Sequence, residues 1–248
     1  MQLRDKVVVI TGAASGVGAG CATRFADEGA HVVLADIQAS GVHARAKAIG
    51  GVGLAADMTR EEDVRALASL AESTYGRIDI WFSNAGISSP RRPGELPDDD
   101  EWERMWRLHV MAHVYAARAV LPSMLARGDG YLLQTVSRVA LAAHPGKAAY
   151  SVTKHASLSL GEWLAIHYRP KGIKVSCFCP GAMKTPMLLA NDLARDRYER
   201  ALSPEQVADL LVAGIAEERF LILTPDASLQ PLAARAADYD AWLDSIES

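Results

Sequence analysis

The sequence of 248 residues holds 26 lysine and arginine residues against 30 aspartate and glutamate residues, and 50% of its residues are hydrophobic. This composition excludes a disordered or fibrous chain and predicts one globular domain over residues 1–248. The formal net charge of −4 argues against binding to nucleic acid or to an anionic membrane, because both need clustered basic side chains.

The cysteines and the apolar segments bear on cellular location. Cys21, Cys177 and Cys179 are too few for a disulfide framework, so we expect buried, reduced thiols. The first ten residues hold no long apolar signal region, and no later segment reaches the roughly 18 apolar residues that a membrane helix needs. We therefore expect a cytoplasmic protein that makes no contact with membranes.

Short β-branched runs alternate with stretches of helical period along the chain. The predicted strands are residues 7–11, 31–36, 52–56, 78–83, 131–136, 174–178 and 220–223. Between them, apolar residues recur every three or four positions, as at Val64, Leu67 and Ala71. Parallel strands need crossover connections, so the alternation predicts a single-domain α/β fold: a Rossmann-type, doubly wound parallel sheet with helices on both faces.

Local chemistry marks helix starts and loops. Thr59 with Glu62, and Ser203 with Gln206, have the spacing of capping boxes. Residues 88–100 are rich in Pro, Gly and Asp and predict a surface loop before a long helix from about Glu101. Residues 180–191 place methionine and leucine in a connection that would ordinarily be polar, which suggests a lid.

A glycine-rich turn follows the first predicted strand. Gly12, Gly16 and Gly18 lie between that strand and a stretch of helical period. Such a turn lets the backbone approach a pyrophosphate and directs helix N-terminal amides at its charge. Taken alone, the glycines also fit an ordinary tight turn without a ligand.

Asp36 ends the second predicted strand, 18 residues after Gly18. A carboxylate at this place can accept hydrogen bonds from both ribose hydroxyls of an NAD adenosine. The 2′-phosphate of NADP would meet repulsion of ~4 kcal/mol per unit charge at ~4 Å and an effective dielectric of about 20, before screening. Asp36 therefore favours NAD, with a solvated acid at a strand end as the alternative.

Tyr150 and Lys154 are four residues apart in a predicted helix and share one face. An ammonium at ~4 Å would stabilise the phenolate by ~4 kcal/mol at an effective dielectric of about 20, before desolvation is subtracted. The pair therefore predicts a tyrosine that works as an acid and base. A core tyrosine beside a snorkelling lysine is the alternative for an isolated pair.

Together the motifs resemble those of the short-chain dehydrogenase/reductase family over about residues 5–223. The matching features are the glycine turn at 11–18, Asp57, the Asn-Ala-Gly at 84–86, Ser137, Tyr150-x-x-x-Lys154, and Pro180-Gly181 with Thr185. The resemblance implies hydride transfer between nicotinamide and a secondary alcohol or ketone. It also implies that Tyr150 exchanges the proton, that Lys154 lowers its pKa and holds the nicotinamide ribose, and that Ser137 binds the substrate oxygen.

The resemblance also implies a set of cofactor-binding residues. Asp57 would contact adenine, residues 84–86 would support the central sheet and the cofactor ribose, and Thr185 would hold the carboxamide. The complete expected set is Gly12, Ser15, Gly16, Val17, Gly18, Asp36, Asp57, Met58, Asn84, Ala85, Gly86, Tyr150, Lys154, Pro180, Gly181, Met183 and Thr185.

His109 departs from the family pattern, which usually has an asparagine that helps to hold a water linking the lysine to solvent. We favour a role in which only the backbone carbonyl of His109 acts. The alternative is that its ring relays protons near neutral pH. His109 and His113 also have the spacing of a metal pair, but without a nearby acid we expect structural histidines and no metal.

The expected substrate pocket is mostly apolar. Its wall would be residues 139–145, Ile87 and the lid at 183–189, which favours a hydrophobic alcohol or ketone, and His144, Arg138 and residues 91–92 would add polarity if they faced inward. The resemblance implies a homo-oligomer, a tetramer or dimer, with residues 102–121 as a candidate interface.

Three other functions stay open at this stage. The first is a dinucleotide-binding regulatory protein with a decayed active site, suggested by His109. The second is an NADP-dependent carbonyl reductase. The third is a sugar-nucleotide epimerase or dehydratase, which would need a larger C-terminal substrate region than the 25 residues after Leu223.

Overall fold

All seven predicted strands form in the computed structural model, which describes residues 1–190 and 195–246. The strands are β1 (Val7–Thr11), β2 (His31–Asp36), β3 (Val52–Ala55), β4 (Ile80–Ser83), β5 (Gly130–Thr135), β6 (Ile173–Cys179) and β7 (Leu221–Leu223). They pair in parallel in the order β3-β2-β1-β4-β5-β6-β7. The chain changes direction across the sheet between β1 and β4, where open α/β sheets bind ligands.

Helices cover both faces of the sheet, as the alternation predicts. They are α1 (Gly16–Asp27), α2 (Ala39–Ala48), α3 (Glu61–Tyr75), α4 (Asp99–Trp106), α5 (Ala112–Arg127), α6 (Ala148–Tyr168), α7 (Pro186–Leu189), α8 (Arg195–Arg200), α9 (Pro204–Ala216), α10 (Gln230–Ala237) and α11 (Tyr239–Asp244). A π-helical turn (Arg107–Met111) joins α4 to α5, and 3₁₀ turns occur at Arg138–Ala140 and Arg169–Lys171.

The core lies on both faces of the sheet. Val8 and Ile10 of β1 belong to one buried cluster with Phe25 of α1. Val9 belongs to the opposite cluster with Leu67 of α3. Successive side chains of a strand point to opposite faces, so a strand covered on both sides is apolar throughout, as β1 is.

One of the two predicted capping boxes is confirmed and the other is wrong. Ser203 and Gln206 exchange both bonds at the start of α9. Helix α3 instead begins after Arg60, which makes no side-chain cap. The amide and the hydroxyl of Thr59 both donate to Asp57 Oδ1, so Thr59 belongs to the turn at Asp57, one residue before the helix cap.

The predicted long helix also differs from the observed one. Asp98 Oδ1 accepts from the Glu101 amide at 2.9 Å, and this cap starts α4 at Asp99 rather than at Glu101. The helix then widens into the π-helical turn before α5 continues to Arg127. That turn carries His109, so it sets the orientation of a residue that departs from the family pattern.

The three cysteines are free and buried, as predicted. Cys21 lies in α1, and Cys177 and Cys179 lie in β6. Within residues 1–190 and 195–246, no helix has both the length and the apolar character needed to cross a membrane.

Candidate active site

The glycine turn between β1 and α1 is packed too closely for larger side chains. A Cβ on Gly12, whose φ is +67°, would lie 2.8 Å from the Ala85 Cα, and one on Gly18 would lie 2.2 Å from the Gly12 carbonyl oxygen. Ser15, the N-cap of α1, makes no side-chain capping bond. The first amides of this twelve-residue helix are therefore available to an anion such as a pyrophosphate.

Asp36 joins the end of β2 to the glycine turn. Its Oδ2 accepts from the Ala14 amide at 3.0 Å, and its Oδ1 accepts from the Gln38 amide at 2.9 Å. The residue is 9% exposed. These bonds fix the direction of the carboxylate, and each oxygen keeps a lone pair for a ribose hydroxyl.

Asn84 ties together the ends of three neighbouring strands. Its Nδ2 donates to the Thr11 carbonyl at 3.0 Å, and its Oδ1 accepts from the Thr135 hydroxyl at 3.1 Å. The Thr11 hydroxyl in turn accepts from the amides of Asn84 and Ala85. Residues 84–86 therefore support the centre of the sheet, as the family resemblance implies.

Asp57, just after β3, is held in place by hydrogen bonds to its neighbours. Its amide donates to Asp63 Oδ2 at 2.8 Å, while its Oδ1 accepts from both the amide and the hydroxyl of Thr59. Met58 beside it is buried. Both residues border the cleft described next, on the side of Asp36.

A cleft of about 540 Å³ crosses the carboxyl ends of the strands. Of the expected cofactor residues, Gly18 alone is missing from its described lining, because it packs beneath the turn against Gly12 and Asn84. Ile87, Pro186 and Met187, which were expected in the substrate pocket, also line the cleft. Nine further lining residues were not predicted, because they belong to none of the quoted motifs: Ile37, Gln38, Ala56, Thr59, Arg104, Arg107, Leu108, Thr135 and Val136.

Tyr150 and Lys154 lie in the first turns of α6, which brings both side chains to the cleft. Lys154 Nζ donates to the Thr135 carbonyl at 2.9 Å and lies 5.8 Å from the centroid of the Tyr150 ring. Burial lowers the pKa of the Lys154 ammonium to about 8. The Lys154 ammonium can therefore lose its proton within the pH range of ordinary enzyme assays.

Two features act on the pKa of the Tyr150 phenol in opposite directions. Burial raises it, and a hydrogen bond with the Ser137 hydroxyl opposes that rise. The lowering by the Lys154 ammonium, whose Nζ is held by the Thr135 carbonyl, stays a prediction. Ser137 is therefore the neighbour that favours the phenolate in this arrangement.

A second cavity of about 450 Å³ meets the cleft at Ser137 and Tyr150. Its wall is mostly apolar, with Val139, Met183 and Leu188 among its residues, and the expected polar residues Arg91, Arg138 and His144 also line it. Lys147, which also lines it, was not predicted. Ile87 borders the cofactor cleft rather than this cavity. A substrate in the cavity would meet the phenol and the serine hydroxyl beside the cleft.

Comparison with known proteins identifies the family. The model of the family described as short chain dehydrogenase matches residues 6–195. This chain belongs to the short-chain dehydrogenase family. The 1-deoxy-11-beta-hydroxypentalenate dehydrogenase of Streptomyces exfoliatus is 35% identical over 233 residues, which cover 90% of this chain and 84% of that protein.

Solved structures agree with the assignment to the short-chain dehydrogenases. A family member from Burkholderia phymatum in complex with NAD gives a TM-score of 0.86 at 28% identity, with 97% of this chain and 96% of that chain covered. L-Sorbose reductase from Gluconobacter frateurii, complexed with NADPH and L-sorbose, gives a TM-score of 0.82 at 30% identity. The match covers 93% of this chain and 99% of that chain. The protein is thus an oxidoreductase of a family that uses nicotinamide cofactors.

His109 of this short-chain dehydrogenase has both ring nitrogens engaged. Its Nε2 accepts from the Ile87 amide at 3.2 Å, and its Nδ1 lies 3.0 Å from the Thr153 hydroxyl oxygen. That hydroxyl donates to the Ala149 carbonyl at 2.8 Å, so Nδ1 must carry a proton and donate it to Thr153. The hydrogen bonds therefore select a neutral ring with one tautomer.

The surroundings of His109 oppose a positive charge on it. Burial lowers its pKa well below the usual value, and the charges of Lys154 and His113 lower it further. Burial likewise lowers the pKa of His113, to about 3. Neither ring is suited to proton exchange near neutral pH, so the environment supports the backbone role for His109 over the relay.

The His109 carbonyl already has a neighbour in α6. The Ser157 hydroxyl lies 2.6 Å from that oxygen and 2.8 Å from the Thr153 carbonyl oxygen. Ser157 has only one proton to share between them, and a carbonyl has two lone pairs. The His109 oxygen can therefore still accept from a water molecule.

The loop after β6 is held by two residues that the sequence analysis missed. The Gly181 amide donates to Thr224 Oγ1 at 2.9 Å, and the Ala182 amide donates to Asp226 Oδ2 at 3.1 Å. A Cβ on Gly181 would lie 1.9 Å from Asp226 Oδ2. A polar turn directly after the last apolar run was the one sequence feature that could have indicated them.

The predicted lid contains a short helix. Thr185 caps α7 by accepting from the Leu188 amide at 3.3 Å, and its side chain borders both the cleft and the second cavity. Met187 is 40% exposed and Leu189 is 61% exposed, so apolar surface faces outward here. The end of the predicted lid at Asn191 lies outside the described residues, and its closure stays a prediction.

Proposed function

We propose that this protein is an NAD-dependent dehydrogenase or carbonyl reductase that interconverts a secondary alcohol and a ketone. The observation that carries the proposal is the meeting of the two cavities at Ser137 and Tyr150, with Lys154 behind them. The first cavity has the features of a dinucleotide site: a close-packed glycine turn, an uncapped helix start and a fixed carboxylate. The second leaves room for a small-molecule substrate.

In the proposed mechanism, nicotinamide supplies the hydride for reduction and accepts it for oxidation when it is bound. The Ser137 hydroxyl would donate a hydrogen bond to the substrate oxygen as negative charge develops on it. Tyr150 would give its proton to that oxygen during reduction and take it back during oxidation. The hydrogen bond from Ser137 that favours the phenolate in the free protein would be exchanged for one to the substrate.

Lys154 and His109 would act on this centre in different ways. The Lys154 ammonium, held by the Thr135 carbonyl, would bind a ribose hydroxyl and keep positive charge near the phenol. His109 would be a positioning residue, because its ring holds the Ile87 amide of the loop after β4 and the Thr153 hydroxyl of α6. Its carbonyl oxygen would help to hold a water that returns protons to Lys154.

The preference for NAD rests on Asp36. Its carboxylate is aimed by two backbone amides and borders the cleft, so a 2′-phosphate would come close to a fixed negative charge. Structures of similar fold have been solved with NAD and with NADPH, so the fold does not decide between the two cofactors. The proposed preference for NAD therefore depends on the Asp36 carboxylate. The other expected cofactor-binding residues, apart from Gly18, line the cleft and would contact the dinucleotide there.

Assembly and location are part of the same proposal. Trp106, Val152, Trp163 and Ile166 are between 45% and 71% exposed on α4 and α6, and apolar surface of this kind supports a homo-oligomer. The three free, buried thiols support the expectation of a reducing, cytoplasmic location.

The test is oxidation of NADH and of NADPH with a panel of ketones, read by loss of absorbance. We expect turnover of at least one ketone and a higher kcat/KM for NADH than for NADPH. Binding of NADH without turnover of any ketone or secondary alcohol would instead support the regulatory protein with an inactive site.

A further inference from the structure

The cavity beside Tyr150 has an unusual balance of charge. Arg91, Arg138 and Lys147 line it, and the described part of its wall contains no aspartate or glutamate. The whole chain, in contrast, has more acidic than basic residues. Basic side chains that gather at a concave site attract anions.

Arg138 belongs to the cavity wall next to the proposed catalytic serine. It follows Ser137 directly, and its amide donates to the Pro180 carbonyl at 2.9 Å, which fixes the backbone at the cavity wall. The residue is half-buried, and its guanidinium makes no ion pair with any acidic side chain in the described ranges. A guanidinium fork in this state is suited to a carboxylate or a similar planar anion.

Arg91 is directed to the same cavity by its neighbours. The Arg92 amide donates to the Gly146 carbonyl at 2.9 Å, and the Arg92 guanidinium pairs with Glu101 at 2.8 Å. These two contacts anchor the loop, and the Arg91 side chain packs over Gly146. A Cβ on Gly146 would lie 2.6 Å from the Arg91 Cγ. Arg92 is thus neutralised by Glu101 outside the cavity, whereas Arg91 lines the cavity.

Lys147 brings a third positive charge close to the phenol. Its Nζ donates to the Ser88 hydroxyl at 2.8 Å and lies 5.7 Å from the centroid of the Tyr150 ring. Val139, Met183 and Leu188 line the same cavity. The cavity therefore combines basic and apolar side chains beside the Ser137 and Tyr150 hydroxyls.

We propose that the substrate is a ketone or secondary alcohol that carries an anionic group, and that Arg138 and Arg91 bind that group. This inference rests on the proposed function, because it names the substrate class of the same site. The shared chemistry is a carboxylate, sulfonate or phosphate attached to an apolar body. Arg138 directly follows Ser137, so the anion belongs on the side of the substrate oxygen that faces the 3₁₀ turn.

The first experiment compares keto acids with their methyl esters as substrates for NADH oxidation. We expect the wild-type protein to prefer the acid by about tenfold or more in kcat/KM, the scale of a charge-assisted hydrogen bond. Arg138→Gln and Arg91→Gln should each remove most of that preference by lowering kcat/KM for the acid while the ester changes little. Arg65→Gln, which removes an exposed arginine of α3, is the matched control and should leave the preference unchanged.

Two further arms keep the result decisive. Arg138→Lys retains the charge without the fork and should keep part of the preference, which separates a charge effect from misfolding. Ketones of equal length that end in carboxylate, sulfonate or phosphate distinguish the three anions. Equal preference for acid and ester in the wild type, or equal loss of both in Arg138→Gln, would overturn the proposal.

Failure of the proposed function can be told apart from failure of this inference. If no ketone is reduced, calorimetric titration of the same keto acids and esters into the NADH complex still measures the anion site. Tighter binding of the acid, lost in Arg138→Gln, would support the inference without catalysis. Absence of any acid binding would overturn it.

Discussion

Burial changes the proton affinities of Tyr150 and Lys154 in opposite directions. It raises the pKa of the phenol and lowers the pKa of the ammonium to about 8, because the charged form of either group is disfavoured away from water. Burial thus shifts both equilibria towards the neutral form, although the Lys154 ammonium still predominates below pH 8. The hydrogen bond with the Ser137 hydroxyl opposes the rise at the phenol.

The Lys154 pKa predicts how cofactor binding depends on pH. Since the folded value of about 8 lies below the ordinary 10.5, the ammonium is present below pH 8 and is lost as the pH rises through that value. NADH affinity should therefore be highest below pH 8 and fall above it. Fluorescence titration of NADH across this range measures the effect.

Two variants test this assignment. Lys154→Met should bind NADH more weakly and with no inflection near pH 8, whereas Lys171→Met, at the opposite end of the sheet, should keep the wild-type profile. An inflection near 8 that survives in Lys154→Met would assign the titration to another group.

Replacing Asp36 by Asn should reduce the preference for NAD over NADP. The amide keeps the shape of the side chain and one acceptor oxygen but removes the negative charge that opposes a 2′-phosphate. The ratio of the two kcat/KM values should fall by about tenfold or more. An unchanged ratio would place the discrimination at another residue of the cleft.

His109→Asn should leave the pH profile of the rate unchanged around pH 6.5, the ordinary pKa of histidine. The wild-type ring is neutral there, because burial and neighbouring positive charge keep its pKa well below the usual value. The check is a pair of kcat/KM profiles measured in the same buffers. A wild-type inflection near 6.5 that disappears on substitution would restore the proton relay.

Connections between elements, rather than the elements themselves, hold the site in place. Asp226 and Thr224 after β7 fix the loop after β6, and Asn84 after β4 joins the ends of β1 and β5. Asp226→Ala should weaken NADH binding by about tenfold, since it leaves the Ala182 amide and the Thr224 hydroxyl without their acceptor. Asp226→Asn should lose less of the affinity for NADH, because its amide oxygen can still accept one hydrogen bond. Equal losses of affinity in the two variants would contradict the role of Asp226 in holding the loop.

Elements with a strong local pattern could be predicted from the sequence, and those that depend on a single cap or a distant contact could not. Strands β1 and β2 match the predicted bounds because their apolar runs are uninterrupted. The π-helical turn at Arg107–Met111 was missed, since no residue in it breaks the helical pattern. The cap at Asp98 was missed because Asp99 and Asp100 beside it are equally plausible from composition alone.

At the scale of the whole molecule, the position of the site follows from the order of the strands. The chain leaves the neighbouring strands β1 and β4 towards opposite edges of the sheet, and the motifs predicted from sequence meet at their carboxyl ends. The charge of the substrate cavity could not be predicted in this way. Arg91 and Arg92 are adjacent in sequence, and only the pairing of Arg92 with Glu101 decides which of them lines the cavity.

The central claim is that Tyr150 transfers the proton during hydride transfer to or from nicotinamide. The direct test is Tyr150→Phe, with turnover of a reducible ketone and affinity for NADH measured on the same preparation. We predict that NADH affinity stays close to that of the wild type, because the ring is retained, while kcat falls by about 10² to 10⁴, the scale for loss of a general acid. Turnover above about a tenth of the wild-type value would contradict the account.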